Sequence, residues 1–181
     1  MGDSEADAKR YGQLDATLPV LALSVRQPWA HAIIHLGKDI ENRSWQAVNH
    51  GLRQRGRIAI HAAKGMTQDE YEGAADYMGM YGVKCPPASD LVRGAIIGSV
   101  EVIDVVTEHE SIWFMGPRGL VLKDPTPCAP IPAVGALGYF RWTPADQSVM
   151  PAPARWMLPQ VAKAKAVTVR ASPADDLFSK G

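Results

Sequence analysis

Apolar residues fall in short blocks along this chain, and their spacing changes from block to block. "VLALSV" (20–25) is a continuous, β-branched apolar run, which predicts a buried strand. Pro28 suits the first turn of a helix, where its missing N–H costs nothing. Ala30, Ile33 and Ile34 then share one helical face, and Gly37 stands where a helix ends in a left-handed residue. From Ile40 to Trp45 the period is two: Glu41, Arg43 and Trp45 share one face, Ile40, Asn42 and Ser44 the other. "RIAIHAAK" repeats that period, with Ile58 and Ile60 opposite Arg57, Ala59 and His61.

Thr67 and Glu70 are spaced as a capping box, and Tyr71, Ala74, Ala75 and Met78 follow at helical spacing. "GAIIGSVEVIDVV" (94–106) predicts the longest strand, its glycines marking a bend or bulge. "SIWFMGPRGLVLKDPTP" predicts a strand, a Gly-Pro turn and a second strand ending at Lys123. "GALGYFRW" closes the pattern. Five or six short strands with two helices inserted early predict an α+β domain built on a small mixed β-barrel. It spans residues 20–142, between a mobile leader (1–19) and an Ala/Pro-rich linker and tail (143–181) in which Trp156 and Met157 could dock locally.

Charge alters the picture by what it excludes. Nineteen basic and nineteen acidic residues cancel, which argues against binding nucleic acid through bulk charge, though not against a local basic groove. Cys85 and Cys128 sit in no metal-binding spacing and read as reduced thiols. No apolar run reaches the roughly 20 residues needed to span a bilayer. The polar, acidic N-terminus is unlike a signal peptide, so a cytoplasmic protein without membrane attachment is expected.

The charged residues after the first helix carry a resemblance. "LSVRQPWAHAIIHLGKDIENRSW" followed by "RGRIAIHAAK" resembles the ASCH domain family of the PUA-like superfamily. The family pattern is matched by Gln27, Pro28, Trp29, Ala30, Gly37, Lys38, Glu41, Arg43 and Trp45, and the later strands extend the likeness to residue 142. The resemblance implies a β-barrel with a cleft lined by Lys38, Glu41 and Arg43, and an association with RNA. One branch of the family hydrolyses N4-acetylcytidine through a lysine base and a threonine nucleophile. Lys38 matches that lysine, but Glu41 stands where the threonine would be.

Two readings of these residues are open. Lys38, Glu41 and Arg43, set beside Trp29 and Trp45, either pair internally or await a polar ligand. Arg43 offers a planar fork to phosphate or a base edge, Trp29 and Trp45 offer flat faces for stacking an unpaired base, and Trp29 is equally a core anchor. Gln27 is either a turn residue whose amide satisfies backbone groups or a ligand contact. His61 and Lys64 either reach the cleft rim or are ordinary strand-end polarity. His31 and His35 lack a third ligand and read as a solvated helix face, so no metal or other cofactor is expected. Arg53, Arg55, Arg57, Arg118 and Lys123 could contact phosphates or simply be solvated, and Ser99 either faces the cleft or relieves packing.

The expected function is a monomeric nucleic-acid-binding module that takes an unpaired nucleotide, most naturally of single-stranded RNA with DNA as the alternative. The rival is a hydrolase on the same cleft, acting on a modified nucleoside or cutting RNA, with Lys38 or Glu41 as general base. A loose likeness of the final "DDLF", with Leu177 and Phe178, to tails that dock on sliding clamps adds one candidate partner.

Overall fold

β1 (Leu21–Val25) and β3 (Gly56–Ala62) lie side by side and parallel, Ser24 opposite His61. A parallel pair needs a crossover, and here it contains α1 (Trp29–His35) and β2 (Ile40–Arg43). α2 (Gln68–Met80) leads on toward β4 (Ala95–Val106), β5 (Arg118–Pro132) and β6 (Tyr139–Arg141). The six strands form one sheet in the order β2-β5-β4-β3-β1-β6, antiparallel at every other pairing. This computed structural model describes residues 18–45 and 50–159. The leader up to residue 17, residues 46–49 and the stretch from residue 160, with Leu177 and Phe178, lie outside the described residues.

The sheet curls into a half-barrel. β2 and β1 are four steps apart in the strand order, about 19 Å in a flat sheet at roughly 4.8 Å per step. Arg43 on β2 nevertheless donates from Nη2 to the Ser24 carbonyl on β1 at 2.9 Å. Trp45, just past β2, meets Tyr139 on β6 with ring centroids 5.7 Å apart. The two edge strands are therefore bridged by side chains, without a hydrogen-bonded seam between them. Curvature comes from β-bulges: the β4–β5 register shifts three times, once at Gly98, as its glycine predicts. This is the α+β architecture that the apolar pattern anticipates.

Inside the curl, α1 sets Ala30, Ile33 and Ile34 against Leu23, Val25, Ile58, Ile60, Val100, Val102, Leu120 and Leu122. The period-two reading of β3 holds, because Ala59 packs on the opposite face with Ala22, Ile96 and Trp142. α2 begins with the expected capping box: Thr67 Oγ1 accepts from Glu70 N at 3.2 Å, and Thr67 N donates to Glu70 Oε2 at 2.8 Å.

Two strand expectations need correction. Residues 111–115 form a turn and irregular backbone, not a strand, because side-chain groups take up the backbone, while Gly116-Pro117 turns as expected. Trp113 N donates to Ser111 Oγ and Phe114 N to the Ser111 carbonyl, while the Asn42 amide bridges the Trp113 carbonyl and Met115 N. β5 does not stop at Lys123 but runs on to Pro132 despite four prolines. Its pairing with β2 ends at Val121, so the stretch from Lys123 is an edge, where proline removes no ladder bond.

Residues 143–159, from the stretch expected to be linker and tail, lie against the domain. Met157 is buried with Met66, Ala88 and Leu91, and Trp156 packs on Tyr71, the local docking that these two residues suggested. Arg93 ties this segment down, donating to the carbonyls of Lys64 and Ala152 at 3.0 Å each. Among the described residues no helix is long and apolar enough to cross a membrane.

Candidate functional site

Gly37 takes a left-handed conformation (φ 72°) after α1, and Lys38 N returns to the Ala32 carbonyl at 3.1 Å. That reversal turns the Lys38 side chain inward, where only 2% of the residue is exposed. Its ammonium lies 5.9 Å from the Trp29 ring centroid, donates to the Ile40 carbonyl, and pairs with Glu41 Oε2 at 2.9 Å. Arg43 Nη2 approaches Glu41 Oε1 at 3.2 Å. Glu41 thus sits between two cations, and the buried trio keeps one net positive charge. Such a charge is costly in a poorly solvated place unless an acceptor comes to meet it.

The structure brings Lys38, Glu41 and Arg43 together, mutually paired and buried or half-buried. Trp29 stands edge-on to Tyr77 and Trp113, at 6.0 and 6.4 Å, and packs against two core clusters. Gln27 is 1% exposed and both ends of its amide are used. Nε2 donates to the Val92 carbonyl at 2.6 Å, and Oε1 accepts from His31 N at 3.0 Å.

Open space lies a few residues away, on either side of the loop before β6. One hollow, of about 370 Å³, is lined by Leu21, Trp45, Gly51, Gln54, Leu137 and Tyr139. A larger one, of about 430 Å³, is lined by Ser24, His61, Lys64, Gly94, Gly135 and neighbouring small apolar residues. Leu137, 99% exposed, borders both. Neither hollow is lined by Lys38, Glu41 or Arg43.

Trp45 joins the smaller hollow to the charged trio. The Arg43 guanidinium carbon is 5.4 Å from its ring centroid, and Arg118 Nε donates to its carbonyl at 2.8 Å. Tyr139, the other aromatic wall, is a residue that sequence reasoning did not single out; an aromatic in a closing strand carries no signal of its own. Burial pushes its phenol up to about 12, against the opposing influence of Arg43 and Arg55. Two buried polar atoms here, Arg43 Nε and the Tyr139 hydroxyl, lack hydrogen-bond partners among the described residues. Buried polar groups are rarely left so, and two of them around one pair of rings mark a place where a ligand could supply the partner.

The larger hollow holds His61 and Lys64 together with Ser24, also missed by sequence reasoning. Burial holds the His61 ring below its usual pKa, while its bond to Ala133 acts in the opposite sense. Several other candidates face elsewhere. Ser99 is buried and accepts from Arg57 Nε at 3.1 Å, and Arg57 also reaches Asp124 and Thr126. Arg55 is tied to Asp104 at 3.0 Å. His31 and His35 stack at 4.6 Å, and no group of three potential metal ligands occurs among the described residues.

Comparison with known proteins adds to this geometry. The family model of the ASCH domain matches residues 23–117. The human protein named Activating signal cointegrator 1 is 33% identical over 88 residues, which cover 49% of this chain and 15% of that protein. The chain therefore corresponds to a small part of that relative's length.

Proposed function

The chain belongs to the ASCH domain family, and from that premise we propose that it is a nucleic-acid-binding module that receives an unpaired RNA nucleotide at the Trp45–Tyr139 wall. The observation that carries the reading is a hollow walled by the Trp45 and Tyr139 rings, with Arg43 against the Trp45 ring and with Arg43 Nε and the Tyr139 hydroxyl buried without partners among the described residues. Aromatic side chains hold unpaired bases by stacking, and a guanidinium fork suits phosphate or carbonyl oxygen. Gln54 at the rim offers an amide to a base edge.

In this reading the trio divides its labour. Lys38 holds Glu41, Glu41 aims Arg43, and Arg43, against the Trp45 ring, is the member of the trio nearest the ligand. The net positive charge suits an anionic guest although the whole chain is neutral. The family's association with RNA supports RNA over DNA.

The test is a fluorescence-anisotropy titration of a short mixed-sequence single-stranded RNA into wild type, Trp45→Ala and Arg43→Ala, each checked for folding by circular dichroism. Trp45→Ala should weaken binding about tenfold or more, in line with roughly 1–3 kcal/mol for one stacked base. Equal affinities for all three proteins would overturn the assignment.

A further inference from the structure

From the geometry of the larger hollow we infer that Ser24 and His61 form a nucleophile–base pair able to hydrolyse short-chain carboxylic esters. Ser24 Oγ lies 2.9 Å from His61 Nδ1, and His61 Nε2 lies 2.9 Å from the Ala133 carbonyl. A carbonyl oxygen can only accept, so Nε2 carries the ring hydrogen. In the neutral imidazole Nδ1 is then bare and accepts the Ser24 hydroxyl proton. A base held in one tautomer by a third group, and bonded to a hydroxyl, is the arrangement that activates a serine. Here a backbone carbonyl holds the ring in place of a carboxylate.

The pair opens onto space of a suitable size. Ser24 and His61 both line the hollow of about 430 Å³, within the range of small-molecule sites. Gly135 is what leaves it open. A Cβ at that position would stand 2.5 Å from His61 Cε1 and 2.7 Å from Ser24 Oγ, covering both reacting groups. The rest of the wall is mainly apolar, with Ala63, Ala133, Val134 and Val149. It suits a short hydrocarbon acyl group better than a sugar or a peptide. Lys64 brings a positive charge to the same hollow for the carbonyl oxygen as it becomes negative.

The reaction balances without a metal or a redox partner. Ser24 Oγ bonds to the acyl carbon as its proton passes to His61 Nδ1. The bond from that carbon to the alcohol oxygen then breaks, and His61 returns the proton to the departing oxygen. A water molecule, losing a proton to His61, attacks the Ser24 ester, and the acid leaves as Ser24 recovers its proton. The Nε2 hydrogen stays on the ring throughout, donated to the Ala133 carbonyl.

The experiment uses the full chain and no RNA, so it stands or falls independently of the binding reading. The protein is treated with an alkyl fluorophosphonate and the adduct is mapped by peptide mass spectrometry. Hydrolysis of p-nitrophenyl butyrate is followed in parallel for wild type, Ser24→Ala and Gly135→Val. The expected result is an adduct on Ser24, at least a hundredfold loss of hydrolysis in Ser24→Ala, and at least tenfold slower labelling in Gly135→Val. A structural hydrogen bond between Ser24 and His61 would produce no adduct. Absence of the adduct, or turnover undiminished in Ser24→Ala, overturns the proposal.

Discussion

Arg43 Nη2 donates to the Ser24 carbonyl at 2.9 Å, joining a strand at one edge of the sheet order to the strand next to the other edge. The same guanidinium is held by Glu41 and lies over Trp45. One side chain thus closes the curl and connects the buried charges to the aromatic hollow. Its removal should therefore affect shape and ligand together, whereas changes deeper in the trio should affect stability first.

Glu41 is the centre of that trio, so Glu41→Ala leaves Lys38 buried without its carboxylate. A broken buried pair typically costs about 3–5 kcal/mol. Lys38→Met should cost less, because Glu41 still faces Arg43 and the methionine fills similar volume. Urea unfolding of both variants checks the order; a Glu41→Ala protein as stable as wild type would contradict it.

Tyr139→Phe separates stability from binding. The hydroxyl is buried without a partner among the described residues, so its removal should leave the free protein as stable or raise stability by about 1 kcal/mol. If the hydroxyl meets the nucleotide, the same variant binds RNA more weakly. Thermal melts alongside the anisotropy titration read both effects. A destabilised variant with unchanged affinity would show that the phenol serves packing alone.

Acid should destabilise the fold through His61. Its folded pKa lies below the usual value near 6.5 because the ring is buried, so the unfolded chain binds the proton more readily. Stability is then full above about 6.5 and declines as pH falls from there toward the folded value. His31 acts with the same sign, through burial and then the neighbouring His35. Chemical denaturation at pH 5 and pH 7.5 should show a smaller difference for His61→Gln than for wild type. Equal differences would place the acid sensitivity elsewhere.

Met157 tests how far the cooperative unit extends. It is buried among Met66, Ala88 and Leu91, and Met157→Ala should cost about 2 kcal/mol or more by leaving a cavity. A chain cut after Trp142 should lose more, since Arg93 also forfeits its acceptor at Ala152. An unchanged melting temperature after the cut would confine the folded unit to the residues before it.

The structure follows the sequence most closely where the signal is local. Period-two alternation identified both faces of β3, and the spacing of Thr67 and Glu70 located the start of α2. Gly37 marked the end of α1. The turn at 111–115 escaped because Ile, Trp and Phe have strand-like propensity, while the groups that bend the chain include Asn42, some 70 residues earlier. The proline-rich half of β5 escaped because edge position, which makes proline harmless there, depends on where β2 stops.

For the site, sequence pattern brought Lys38, Glu41, Arg43 and Trp45 into one short segment, since neighbours in a turn and a strand stay neighbours in space. Which of them would be buried, and which would face an opening, followed only from the curl of the sheet. Tyr139 meets Trp45 from nearly a hundred residues away, and Ser24 meets His61 through a parallel register between two strands separated by a crossover. Register and closure are set by packing across the whole core. A single chain read in order displays the residues that can pair, but the contacts that select their partners come into being only when the sheet is assembled.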